Sequence, residues 1–283
     1  MPTVHISLRA ETLFQLFGIP VTNALLTTWF SMAVLIFLSL MTSGNIKMIP
    51  GTLQNIMEMA VGGIHNLFEE ILKENIQRFF PFLMTLFLFI FFNNWAGLLP
   101  GVGTIGLTKN EESKEALFSN RAVAATSEFT AGEKSAGESA TAAENQKTVK
   151  NSEFIPLFRS GSADLNTTLA LAIMTVGYVQ YAGLSALGFS YLKKFFNISN
   201  PINFVVGILE LISEFARIVS FAFRLFGNIF AGEVLLTVIA FLIPLLAPIP
   251  FLGLELFVGL IQAMVFPLLA AVFFSMAVSH EEH

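Results

Sequence analysis

Charged side chains interrupt a long apolar stretch near the carboxyl end of the chain, and these are the residues whose types can do chemistry. They are Glu210, Glu214, Arg217, Arg224 and Glu233. At the centre of a bilayer an isolated charge costs at least about 2.5 kcal/mol on insertion scales, so an ionisable residue there predicts either an ion pair or a role in moving ions. Which of the two applies depends on whether a partner lies within reach on the same helix.

Helical spacing separates these charges. At about 100° per residue, one face within about 80° holds Glu210, Glu214, Arg217, Arg224 and Asn228, and the opposite face holds Glu233. Glu214 and Arg217 are three residues apart, so they form either a structural pair or part of a functional polar stripe that begins at Glu210. Arg224 has no acidic residue three or four positions away, and its guanidinium stays protonated. Its counter-charge must therefore come from another helix or another subunit.

The next apolar stretch carries Glu255 and Gln262, which are seven residues apart and hence on one helix face. Glu255 and Glu233 together predict a water-filled route for protons, because a carboxylate at membrane depth is tolerated where it meets water or a partner. Gln262 has a second interpretation as a hydrogen-bonding residue between helices. Asp164 and Asn166 lie at the start of an earlier apolar stretch, where an acid and an amide are also typical of a helix cap.

Composition places these residues in a membrane protein. Of the 283 residues, 54% are hydrophobic and 12% are charged, whereas soluble domains carry roughly 25% charged residues. The net charge of −5 and the lack of a basic patch exclude a nucleic-acid binder. Zero cysteines exclude disulfides and thiolate metal sites. The histidines lie outside the apolar stretches. His280 and His283, near the end of the chain, lack the spacing of a zinc motif. We therefore expect no metal and no cofactor.

One polar segment, residues 101–163, stands apart from the rest of the chain. It contains seven Lys or Arg and eight Asp or Glu, out of 15 and 20 in the whole sequence. Because it has no sustained apolar periodicity, we predict a solvated loop.

The remaining chain predicts an all-α integral membrane protein with five membrane-crossing helices, since about 20 apolar residues suffice for one crossing. The crossings are 21–42, 79–100, 164–191, 201–246 and 251–279, and the pattern of residues 50–77 indicates an amphipathic helix in the interface. Basic residues of cytoplasmic loops place residues 1–20 and 101–163 outside and the tail 280–283 in the cytoplasm. The residues that set this orientation are Lys47, Lys73, Arg78, Lys193 and Lys194.

Residues 220–233, SFAFRLFGNIFAGE, closely resemble subunit a of F-type ATP synthases. The core R-L-F-G-N-x-x-A-G-E is specific to that family. Further similarities lie at residues 19–23, 50–51, 94–100, 162–169 and 261–263 and at the end of the chain. The resemblance covers nearly everything except 101–163.

The resemblance implies a subunit without a catalytic site of its own that sits in the bacterial inner membrane. Its last two long helices would lie tilted against a rotating c-ring of small hairpin subunits, within a complex that includes peripheral-stalk b subunits. Arg224 matches the family's essential arginine, which faces the ring carboxylates, and two aqueous half-channels load and unload those carboxylates with protons. The resemblance places Glu233 in the channel lining and Gln262 near the arginine. Less certain family positions match Ser220, Asn228, Asp164 and Asn166.

The sequence departs from the family at Glu255, where many bacterial relatives carry histidine.

A competing hypothesis is a self-contained channel or secondary transporter. A transporter supplies its own counter-charge to Arg224, whereas a stator subunit needs a partner carboxylate from another chain.

Overall fold

The computed structural model describes residues 10–16, 18–43, 51–99, 106–110, 152–156, 158–192, 195, 201–243 and 246–278. Long helices dominate these residues. They are α1 (Asn23–Ser43), α2 (Thr52–Leu72), α3 (Ile76–Ala96), α4 (Leu165–Leu187), the short α5 (Phe189–Leu192), α6 (Pro201–Leu242) and α7 (Pro248–Val278). Residues 280–283 and the basic residues Lys47, Lys193 and Lys194, which carried part of the orientation argument, lie outside the described residues.

Five helical segments among the described residues are long and apolar enough to cross a membrane. They are Asn23–Met41, Gln54–Ala96, Leu165–Leu187, Ile202–Leu242 and Pro248–Val278. The prediction of an all-α membrane protein is therefore confirmed. Helix α6 has 42 residues, or roughly 60 Å at 1.5 Å per residue, about twice the hydrocarbon thickness of a bilayer. A helix of this length has to tilt or extend into the interface.

Helix α2 joins α3 through a single 3-10 turn, Lys73–Asn75. Its buried face holds Ile64, Phe68 and Leu72, which pack into the same core as α3. Polar residues such as Glu58, Glu69 and Glu70 separate these positions along the sequence. This is the amphipathic pattern predicted for 50–77, and the placement of the helix in the interface stays a prediction.

The core lies where α3 and α4 pack against α7. Phe79 is fully buried and stacks on Phe274 with ring centroids 4.6 Å apart. The ring of Tyr178 meets Phe274 edge-on at 5.3 Å. Lipid tails are as apolar as these side chains, so helices in a bilayer associate through close packing rather than through the hydrophobic effect. Stacked and edge-on aromatic pairs of this kind contribute to that packing.

Two antiparallel strand pairs flank the helices, and the sequence did not predict them. Strands β1 (Thr12–Leu16) and β2 (Ile19–Thr22) form a hairpin in which Gly18 has a φ of +82°, a conformation that favours glycine. Strands β3 (Gly106–Asn110) and β4 (Ser152–Pro156) pair from Gly106 with Pro156 to Asn110 with Ser152. The second pair brings the two ends of the polar segment together.

The end of the polar segment is a structural element rather than solvated loop. Residues 159–163 are buried, and a 3-10 turn at Gly161–Ala163 contacts α1, α3, α4 and α6. The prediction of a solvated loop was therefore wrong for these residues. The reason is local: after Phe158 the side chains are small, apart from Arg159, and small side chains let the turn fit between helices.

Gly161 sits at the tightest point of this turn. A β-carbon there would overlap the Thr28 hydroxyl and would lie 2.5 Å from the amide nitrogen of Asn93. Gly177 on α4, in contrast, has no heavy atom within 4 Å of the equivalent position. The two glycines therefore form a matched pair for testing how closely the turn is packed.

We expect Gly161→Ala to lower the free energy of unfolding by about 1–3 kcal/mol, because an added methylene in a packed site forces neighbours apart. Thermal unfolding of the purified protein in detergent measures this. Gly177→Ala is the control and should unfold at the wild-type temperature or slightly above it, since alanine favours a helix. Equal midpoints for the two variants would contradict the packing described for the turn.

Candidate functional site

Arg224 lies on the exposed face of α6. Its Nη2 donates a hydrogen bond to the Ser220 hydroxyl, with 3.4 Å between the atoms. In the part of the chain that the structure describes, no acidic side chain forms an ion pair with Arg224. Val219 and Phe223, apolar and about half exposed, flank it. The side chain therefore presents a positive charge to whatever covers this face of the helix.

The residues that share the Arg224 face are small or short. Ser220, Asn228 and Ala231 are exposed, and Gly227 is partly exposed. Small side chains at such spacing allow the backbone of another helix to approach closely. The face thus combines a cation with room for a neighbouring helix.

Glu214 and Arg217 form an ion pair, which is one of the two interpretations that their spacing allowed. The Arg217 Nη1 lies 2.7 Å from one carboxylate oxygen of Glu214 and 2.8 Å from the other. The guanidinium also lies over the ring of Phe273, 3.9 Å from its centroid. Glu210 is partly buried one turn before Glu214. The structure therefore favours the structural interpretation for Glu214 and Arg217.

Glu233 has a cationic partner that comes from outside its helix. The Nε of Arg159 lies 2.9 Å from Oε1 and 3.0 Å from Oε2 of Glu233. Arg159 is only 8% exposed, and its guanidinium lies 5.8 Å from the ring centre of Phe230. Glu233 thus points away from Arg224, as the helical phase predicted, and toward the buried turn.

Glu255 on α7 lies close to this ion pair. It is 8% exposed, and its Oε2 has no hydrogen-bond partner among the described residues. A β-carbon at Gly232 would stand 2.7 Å from the other carboxylate oxygen, so α6 approaches Glu255 only because residue 232 is glycine. The structure therefore places Glu255 and Glu233 side by side across the contact between α6 and α7.

A cavity of about 180 Å³ opens between these groups. Its polar lining comes from several elements and comprises Asn94, Arg159, Ser160, Glu233, Thr237 and Glu255. A cavity needs only about 10–15 Å³ to hold one water molecule, provided that polar groups line it. This site therefore has both the volume and the lining for several waters.

Helix α3 is hydrogen-bonded to α7 beside the cavity. The side-chain nitrogen of Asn94 donates to the Gly259 carbonyl at 3.1 Å, and the indole nitrogen of Trp95 donates to the Leu256 carbonyl at 3.3 Å. Asn93 is fully buried, and neither polar atom of its side chain has a hydrogen-bond partner among the described residues. Buried amides without protein partners are typical of places that water reaches.

The remaining predicted site residues are not among those that line the cavity. Asp164 caps α4 by accepting the backbone N–H of Asn166 at 3.2 Å, and it is buried. Asn166 itself is exposed. Gln262 is partly buried on α7, and the described residues form no hydrogen bond between it and Arg224.

Sequence reasoning missed Arg159, because its charge was counted with those of the polar segment. A signal was present in the residues before it: Phe154, Ile155 and Phe158 make the end of that segment apolar. It also missed Asn93 and Asn94, which look like the polar end of an apolar helix when the sequence is taken alone. The described residues hold no cluster of three His, Cys, Asp or Glu side chains that suits a metal ion.

The family model described as ATP synthase A chain matches residues 25–275. The match includes every residue of the cavity and both ion pairs on α6.

We expect removal of one member of the Glu214–Arg217 pair to be more damaging than removal of both. Glu214→Gln or Arg217→Gln leaves a buried charge alone, which costs about 3–5 kcal/mol, whereas the double variant Glu214→Leu with Arg217→Met replaces the pair by apolar volume. Thermal unfolding in detergent compares the three variants. Additive losses in the double variant would show that the two side chains do not act as a pair.

Proposed function

The chain belongs to the ATP synthase A chain family, and we propose that it is the proton-translocating stator subunit a, which stands beside a rotating c-ring of small hairpin subunits. In this proposal two aqueous half-channels load and unload carboxylates on the ring, so that proton flow drives rotation and ATP synthesis. The chain performs no catalysis itself. Its family is a membrane-sector subunit that translocates ions.

The single observation that carries the proposal is the environment of Arg224. Its guanidinium is exposed on an apolar helix and has no acidic partner in the described residues. A charge that stays in a bilayer needs a counter-charge or water. The small residues on the same face let another helix come close. A ring carboxylate supplies the missing counter-charge in just this position.

The chemistry follows from a fixed positive charge. A carboxylic acid on the ring is stabilised in its ionised form while it passes Arg224, because the guanidinium attracts the anion. It must therefore lose its proton before it arrives and gain one after it leaves. The same charge repels protons that would leak directly from one half-channel to the other.

The cavity beside Glu233 and Glu255 supports the assignment of the outer half-channel. It lies on the opposite side of α6 from Arg224, and it is lined by carboxyl, amide and hydroxyl groups. Water and carboxyl groups together conduct protons through otherwise apolar protein. We assign the cavity to the route that leads from the outer side to the ring.

The proposal includes an orientation and further partners. Lys73 and Arg78, at the junction of α2 and α3, lie on the cytoplasmic side by the distribution of basic residues. The amino terminus and residues 101–163 then face outward and the carboxyl terminus faces the cytoplasm of a bacterial cell. Peripheral-stalk b subunits hold the chain against the turning ring.

Purification decides between a stator subunit and a self-contained transporter. We expect the chain, extracted in mild detergent, to co-purify with a ring of small hairpin subunits. If the isolated chain instead catalysed saturable uptake of a solute into liposomes, the stator assignment would be lost.

Arg224→Gln should abolish ATP synthesis driven by a proton gradient, because the ring carboxylates lose the cation that keeps them ionised. The measurement uses the whole complex in liposomes, with co-purification of the ring as the check on assembly. Arg78→Gln is a matched control, since Arg78 donates to the Ser185 hydroxyl far along the chain from Arg224. If the Arg224 variant synthesised ATP as fast as the control variant, the role assigned to this arginine would be rejected.

A further inference from the structure

We propose that Arg159 is a positioning residue of the proton path: it holds Glu233 as a paired carboxylate and leaves Glu255 as the side chain that exchanges protons with the cavity. The inference rests on the proposed function and divides the work between two carboxyl groups that the sequence alone treats alike. Three observations carry it, namely the ion pair, the seating of Arg159 and the environment of Glu255.

The ion pair gives Glu233 a buried cationic partner. A single nitrogen of Arg159, Nε, lies at 2.9 Å and 3.0 Å from the two carboxylate oxygens. A guanidinium does not lose its proton in proteins, and the buried location of Arg159 strengthens its attraction to the anion. Glu233 is therefore the carboxylate of the cavity that has a cationic partner.

The position of Arg159 is set by helices other than α6. Its backbone N–H donates to the Thr27 hydroxyl at 3.2 Å, and the neighbouring Ser160 hydroxyl donates to the Asn93 carbonyl at 3.3 Å. The next residue, Gly161, is wedged against Thr28 and Asn93. Arg159 thus reaches Glu233 from a support built by α1 and α3, which makes the ion pair a fixed feature of the cavity wall.

Glu255 has the opposite environment. It lines the same cavity, is 8% exposed and has an oxygen, Oε2, without a hydrogen-bond partner among the described residues. No cation of the described residues forms an ion pair with it. Because Arg159 compensates Glu233, Glu255 is the titratable group of the cavity lining that is left to take up and release a proton.

A set of five variants tests the assignment in the whole complex, through ATP-driven acidification of liposomes. Arg159→Gln leaves Glu233 in the cavity wall without its partner and should lower pumping about tenfold or more. The double variant Arg159→Gln with Glu233→Gln removes both charges together, so it should assemble and recover much of the pumping. Glu255→Gln should stop pumping both in the wild type and in that double variant. Arg78→Gln controls for the loss of an arginine elsewhere.

The double variant is decisive, because it contains no carboxylate at position 233. If Glu233 were a proton carrier, the double variant would pump no better than Glu255→Gln, and the assignment would be overturned. Wild-type pumping in Glu255→Gln would overturn it as well. If Arg159→Gln alone does not assemble, the pumping of the double variant still decides.

Failure of this inference is separable from failure of the proposed function. An inactive Arg224→Gln complex, together with an inactive double variant, would leave the stator role intact and reject only the role of Arg159. Normal pumping by the Arg224→Gln complex would reject the stator mechanism itself.

Discussion

A charged side chain inside a bilayer must meet a counter-charge or water, and the polar features of this helical protein are different solutions to that constraint. Glu214 meets Arg217 one turn away on the same helix. Glu233 meets Arg159, which is 74 residues distant in sequence and held by other helices. Arg224 meets no acid among the described residues and faces outward. The Glu214–Arg217 pair stabilises one helix, and the Glu233–Arg159 pair forms part of a cavity wall. Arg224 needs a counter-charge from another subunit.

Close packing is what makes the second solution possible. Gly161 lets the turn after Arg159 fit against Thr28 and Asn93, and Gly232 lets α6 approach the carboxyl group of Glu255. At each of these positions a polar side chain would come within 3 Å of a β-carbon, and glycine has none. A charge network inside a membrane protein therefore depends on uncharged residues that set the distances between elements. Larger side chains at these positions would separate the groups before they altered any charge.

Helix α6 separates two environments by its own geometry. Arg224 and Glu233 are nine residues apart, which places them on opposite faces of the helix. The outward face is apolar around one cation, whereas the inward face contacts a polar cavity. Under the proposed function, this arrangement keeps the place where the ring carboxylate is held ionised apart from the place where protons enter. A proton then has to travel with the ring instead of passing straight across the helix.

The sequence by itself determined the membrane class, five apolar segments long enough to cross a bilayer, and the opposite orientations of Arg224 and Glu233. It offered pairing as one of two interpretations of Glu214 and Arg217. These features depend on composition and on the 3.6-residue period, which act within one helix. Only the tertiary structure decided that Arg159 is buried against Glu233, that Asp164 is buried, and that Asn94 and Glu255 line one cavity. Such contacts join residues far apart in the chain, and no local period encodes the distance between two helices or the seating of a turn among four of them.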